Sequence, residues 1–198
     1  MRKLRVLAAV AVAIFTMSAC CSGGAESAQD VALENIMTRS SVRSYTTQAV
    51  EAEKVDLMLK AAMAAPTAGN KQPWQFVVIE NREVLDTLPT IIGGAKMAAR
   101  AQLAIAVCGD TPRSMGDYWI QDCSAATQNI LLAAHSMGLG AVWCGAHSSS
   151  DDKRIEPIRE LLGLPENVTA LSVIVIGYPD SEPTIKDKWD AKKVKYLK

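Results

Sequence analysis

Residues 117–137, DYWIQDCSAATQNILLAAHSM, carry one unbroken helical pattern that is apolar on most faces. Gly138 follows directly, where a glycine closes a helix in the left-handed conformation. A helix apolar almost all round must be central or lie in an interface, so the remaining elements have to be arranged about it. Residues 31–37 and 55–65 predict two further helices, the second stopped by Pro66, and residues 157–162 a short one capped by Gly163. Runs at 75–80, 103–108, 139–144 and 171–176 are short, β-prone and ended by polar or glycine residues, as buried strands are. Between the first two, residues 81–100 predict helical turns broken at Pro89 and at Gly93-Gly94. Strands and helices mix without a βαβ rhythm or an internal repeat, which predicts an α+β fold.

The chain has 198 residues, enough for one domain with a real core, and a hydrophobic fraction of 49% against 21% charged, as in globular proteins. Lys plus Arg equals Asp plus Glu at 21 each, so no overall charge draws the chain to nucleic acid or an anionic membrane. Any anion site has to be local. With 5 cysteines, no C-x-x-C pair and 2 histidines, a structural zinc cluster is not expected.

The first 19 residues have the layout of a secretory signal. Arg2, Lys3 and Arg5 form a basic start, residues 6–17 are uncharged, and Ser18 and Ala19 lead into Cys20. An apolar run of about a dozen residues is shorter than the roughly 20 a helix needs to span the hydrocarbon core. Met17-Ser18-Ala19-Cys20 resembles a bacterial lipobox, with Met17 where Leu or Val is usual. Two readings stand: a lipid-anchored envelope protein attached through Cys20, and an exported protein cut after Ala19. Residues 20–30 then read as a flexible tether, with the folded domain over 31–198.

Three segments gather the chemistry. Thr38-Arg39-Ser40-Ser41-Val42-Arg43 brings two guanidinium forks and several hydroxyls together, a set that suits a phosphate, although solvated surfaces also carry such stretches. Pro66-Thr67-Ala68-Gly69-Asn70-Lys71-Gln72-Pro73-Trp74 joins a helix to a strand. Its Asn and Gln amides donate and accept at once, as reading the edge of a heterocycle requires; a plain turn with Trp74 as core anchor is the other reading. Gly138-Leu139-Gly140-Ala141-Val142-Trp143-Cys144-Gly145 supplies glycines that let backbone approach a flat ligand. It is not G-x-G-x-x-G, and neither a P-loop nor G-x-S-x-G occurs, which removes the main support for Rossmann, nucleoside-triphosphatase and serine-hydrolase chemistry.

Together and in this order, these segments resemble the nitroreductase family of FMN-dependent oxidoreductases over residues 31–198. Arg39-Ser40-Ser41-Val42-Arg43 is similar to the family's opening Arg-Ser-x-x-Arg element. Pro66 to Trp74 matches its Pro-Ser/Thr-x-x-Asn-x-Gln-Pro-Trp loop almost fully. Ala126 to Ala134 with Gly138 to Trp143 matches its helix and Gly-Leu-Gly-x-x-Trp turn, and Gly177-Tyr178-Pro179 with Lys186 and Lys188 its basic C-terminus. The resemblance implies a central, mostly antiparallel sheet flanked by helices in a homodimer, with two FMN sites at the subunit interface. The C-terminal tail would wrap the partner, which would order the polar stretch 180–198.

By the same carry-over, Arg39, Ser40, Ser41 and Arg43 would hold phosphate and ribityl groups with Lys186 and Lys188. Pro66, Thr67, Asn70 and Gln72 would meet the flavin, and the backbone of Cys144 and Gly145 would face its ring. Lys188 stands where the family often has Arg, a point charge in place of a fork. The scheme implied is ping-pong: a hydride from NAD(P)H or another donor reaches flavin N5, the donor leaves, and a nitroaromatic, quinone or similar acceptor takes two electrons. No residue is singled out as catalytic, because the flavin carries the chemistry; N–H groups near Gly145 would stabilise the reduced ring. An exported chain leaves the compartment in which NAD(P)H circulates, so its donor stays open. Two alternatives accompany this reading: a surface-tethered flavin module without turnover, and a related flavin reaction such as dehalogenation.

Overall fold

The computed structural model describes residues 27–149 and 152–198. Its centre is a four-stranded sheet, β1 (Trp74–Ile79), β2 (Leu103–Asp110), β3 (Gly140–Gly145) and β4 (Val168–Gly177), in the order β1-β2-β4-β3 with every neighbouring pair antiparallel. β2 and β4 lie inside the sheet and are buried along nearly their whole length, which is why they read as continuous apolar runs rather than alternating ones. Leu103, Ile105 and Val107 face one apolar cluster; Ala104, Ala106 and Cys108, from the opposite face of the strand, join the other.

On the first face lie α2 (Ala52–Met63) and α4 (Trp119–Ser136); on the second lie α3 (Arg82–Ile91), the 3-10 turns at Gly93–Ala99 and α5 (Ile155–Leu162). Helices on both faces of an antiparallel sheet make the α+β class. A register shift opposite Val107 and Cys108 places a bulge in β4, and it reverses the strand's phase: Ala170 packs with the second cluster, Leu171 with the first and Val173 again with the second. Ser172, fully buried at the bulge, shares a hydrogen bond with Thr127 Oγ1 at 2.9 Å.

The expected elements are all present, with one correction. Pro89 does not break its segment: α3 runs through it to Ile91, because Asn81 caps the start by accepting from the N–H groups of Glu83 and Val84, and the missing donor falls in the last turn. Within the chain, α4 packs one side against the sheet and α2 and leaves the other open. Trp119, Asp122, Cys123, Ala126, Thr127, Ile130, Leu131 and Ala134 are buried, while Gln121 and Gln128 face outward. Gly138, at φ 75°, and Gly163, at φ 63°, close α4 and α5 as expected.

α1 (Ala28–Thr38) starts three residues before the expected helix, capped by Ser27, and buries no residue; Val31, Leu33, Ile36 and Met37 are each more than half exposed. It is tied to the end of α4 by Asn35 Nδ2 donating to Leu132 O at 3.1 Å and by Thr38 Oγ1 against His135 Nε2 at 2.8 Å. After Pro179 the chain is exposed, with Ile185, Trp189, Tyr196 and Leu197 among its outward side chains. The signal, Cys20 and most of the tether lie outside the described residues. Among the described residues no helix is long and apolar enough to cross a membrane.

Candidate functional site

Residues 39–45 are seated along β3 and the end of β4. Ser41 bridges Ala141 in parallel, Val42 N–H donates to Ala141 O at 3.1 Å, and the Val42 side chain lies over Gly140. A Cβ on Gly140 would come within 2.6 Å of Val42 Cγ1, so this close approach requires glycine. The Tyr45 ring covers Gly177, and its hydroxyl donates to Val42 O at 2.7 Å, with Val175 O at 3.0 Å. Burial raises that phenol well above its ordinary range, so it stays protonated and keeps this donor role. Thr46 N–H donates to Tyr178 O at 2.9 Å and Ser44 Oγ donates to Asp180, which brings the C-terminal segment alongside.

The result is a cleft of about 510 Å³ lined by Arg39, Ser40, Ser41, Arg43, Thr184, Lys186 and Lys188. Six of these were expected to act together; Thr184 was not, since a lone threonine in a polar tail carries no signal. No carboxylate lines the cleft, and among the described residues none pairs with its four cations. Ser40 Oγ is buried there without a hydrogen-bond partner. A buried hydroxyl left without a partner is costly, and an anionic oxygen in the cleft would satisfy it while matching the guanidinium forks. These residues therefore fit a phosphate monoester.

Farther along β3, Cys144 turns its thiol inward, donating to Gly94 O at 3.4 Å with Met97 Sδ at 3.9 Å. Burial pushes that thiol up to about 11, against a smaller opposing effect of Arg43, so Cys144 is neutral at ordinary pH. Gly145 O accepts from Arg154 Nη1 at 2.8 Å, and Arg154 is itself held by Asp152, whose carboxylate the Arg154 hydrogen bond keeps well below the usual range. Just beyond Gly145, the N–H groups of Ala146 and His147 both donate to Leu171 O at the β4 bulge, at 2.9 and 3.2 Å. The bulge leaves this carbonyl without a ladder partner, and the turn satisfies it. His147 is half-buried with its ring 5.0 Å from that of Trp119, and burial lowers its pKa.

Pro66, Thr67, Asn70 and Gln72 do not join this cleft. Their loop sits at the other end of α4, where Asp122 Oδ1 accepts from Ala68 N–H at 2.9 Å, while Thr38 and the cleft lie beside His135. Thirteen residues of helix separate these anchors, about 20 Å of rise. Asn70 and Gln72 are exposed, and Gln72 Nε2 donates to Asn70 Oδ1 at 3.1 Å.

An antiparallel sheet between helical layers, with a cationic cleft at the edge strand and an amide-bearing loop remote from it, defines an α+β fold with a local anion-fitting cleft. The model of the nitroreductase family matches residues 36–109 and 93–178. The chain belongs to the nitroreductase family. A protein of Methanothermobacter thermautotrophicus, named as a candidate NADH dehydrogenase/NAD(P)H nitroreductase, is 45% identical over 172 residues, 86% of this chain and 88% of its own length. A crystal structure of a protein so named from Bacteroides thetaiotaomicron superposes with a TM-score of 0.79 at 50% identity, covering 83% of this chain and 96% of that one. An FMN-dependent nitroreductase from Clostridium difficile superposes with a TM-score of 0.77 at 33% identity, over 84% and 99% of the two chains.

Proposed function

We propose that this chain is an FMN-dependent oxidoreductase that accepts electrons from NAD(P)H and delivers them to a small aromatic acceptor such as a nitroarene or quinone. The observation that carries the proposal is the cleft of four unpaired cations around the partnerless hydroxyl of Ser40. Arg39 and Arg43 hold the phosphate by their forks, Lys186 and Lys188 add point charges, and Ser40 and Ser41 supply hydroxyl contacts. Cys144 and Gly145 present backbone to the ring, with Arg154 fixing the Gly145 peptide from behind. Bound FMN supplies the two-electron chemistry, and the protein supplies binding, orientation and electrostatics. The family membership and the names of its relatives support donor and cofactor; the nitroarene rests on those names, and the quinone on the resemblance of the motifs to the family.

The site needs two chains. Pro66, Thr67, Asn70 and Gln72 lie about 20 Å from the cleft in their own chain. A two-fold dimer with the α4 helices antiparallel sets the loop of each protomer against the cleft of the other, as an isologous interface does. The outward stripe of α4, the unburied apolar side chains of α1 and those of the tail supply surface for it. The tail then lies across the partner.

The first 19 residues direct export, and Cys20 carries the anchor in a bacterial envelope; the basic start and the Met-Ser-Ala-Cys order support this. Replacing Cys20 with Ser moves the protein from the membrane to the soluble fraction, and uncleaved protein in the cytoplasm overturns export. The test of function is the visible spectrum of residues 27–198. Yellow protein that bleaches with NADH or NADPH and recovers with a nitroarene or quinone supports the proposal. Protein that takes up no added FMN overturns it, and reduction by dithionite but by neither nicotinamide removes NAD(P)H as donor.

A further inference from the structure

The loop after α2 holds a backbone that its own sequence does not enforce. Gly69, Asn70 and Gln72 adopt φ of 56°, 52° and 51° within four residues, and two of the three are not glycine. Such conformations persist where the surroundings over-determine them. Thr67 Oγ1 accepts from Gln72 N–H at 3.1 Å, Arg113 Nε donates to Lys71 O at 2.9 Å, and Met115 Sδ stands 3.4 Å from where a Cβ on Gly69 would lie. All three of these contacts are made by exposed or half-exposed groups. The fourth contact is different in kind. Asp122, 4% exposed in the first turn of α4, accepts from Ala68 N–H at 2.9 Å, and its other oxygen is buried without a partner.

An acidic side chain in a largely apolar, buried position is costly unless its charge does something there. Here Asp122, in the first turn of α4, fixes the Ala68 N–H, directly ahead of the first of the three left-handed residues. We infer that Asp122 is a positioning residue: through Ala68 it sets the loop so that the Asn70 and Gln72 amides are presented together. This inference rests on the flavin site proposed above, in which those amides meet the ring. Asp122 itself touches no flavin. The loop's rival explanation is that Pro66, Pro73 and the Thr67 hydroxyl hold its shape unaided.

Two readouts decide between them, one of which needs no flavin. In the apoprotein, trypsin cuts after the exposed Lys71 only when the loop leaves its conformation. Asp122→Ala raises that cleavage rate and weakens the FMN dissociation constant by about tenfold or more each, as expected for loss of a hydrogen bond to a charged, buried group. Asp122→Asn keeps an acceptor oxygen for the Ala68 N–H and stays within about threefold of the parent. Ala68→Pro removes the N–H and leaves Asp122 in place, so it reproduces the Asp122→Ala cleavage and carries the test where Asp122→Ala fails to fold. Cleavage and FMN binding within twofold of the parent in a folded Asp122→Ala, or in Ala68→Pro, overturn the inference. A parent protein that binds no FMN fails the flavin reading instead, while the cleavage arm still reports on Asp122.

Discussion

At the scale of single residues, the cleft makes a lysine informative. Lys188 lines it beside Lys186, and an ammonium meets a phosphate as a point charge where a guanidinium would bind with two parallel hydrogen bonds. Lys188→Arg is expected to tighten FMN binding by about three- to tenfold, a gain of roughly 1 kcal/mol, measured by quenching of flavin fluorescence. An unchanged or weaker constant shows that Lys188 does not reach the phosphate. Cys144 gives the opposite kind of expectation. With its thiol pushed up to about 11 by burial, it holds on the order of one thiolate in a thousand at pH 8. Iodoacetamide should therefore leave Cys144 of the folded protein unmodified at that pH, with its labelling rising only as pH approaches 11, and rapid labelling of the Cys144 peptide at pH 8 by mass spectrometry contradicts the burial. The arginines and serines of the cleft were legible in the sequence because their residue types suit an anion whatever the fold. Asp122 was not, since one acid within an apolar helix reads as part of a solvated face until the burial of its turn is known.

At the scale of elements, short polar segments depend on strands they barely pair with. Residues 39–43 make one bridge and one backbone bond to β3, and they lie flat because Gly140 offers no side chain to Val42. Gly140→Ala puts a Cβ 2.6 Å from Val42 Cγ1, and a β-branched valine has little rotamer freedom with which to yield. The expected cost is about 1–3 kcal/mol, a fall in Tm of roughly 3–10 °C for a domain of this size, together with weaker FMN binding as Arg39 and Arg43 are displaced. A variant that melts normally and binds FMN normally removes this support from the cleft. Helices and strands were legible because burial on one or both faces leaves a periodicity in the sequence. The β4 bulge was not, because it depends on where β4 registers against β2, and with it went the fact that Ala146 and His147 spend their donors on Leu171 O.

At the scale of the whole molecule, the distance between the cleft and the amide loop can be turned into a count of active sites. Arg43→Ala damages a cleft and leaves the loop intact; Asn70→Ala does the reverse, and each homodimer then has two defective sites. Where the site is shared between chains, a heterodimer of the two variants concentrates both defects in one site and leaves the other wild type. Random reassortment at equal concentration makes about half the dimers mixed, so about a quarter of all sites recover. Mixing the two variants through mild denaturation and refolding is therefore expected to restore roughly a quarter of parental turnover, with each variant alone treated identically as the baseline. A site built within one chain gives no recovery, because every cleft and every loop in one polypeptide keeps its own defect. The outcome separates the two arrangements without a structure of the dimer. It does so because α4 is long enough to hold its two anchors apart.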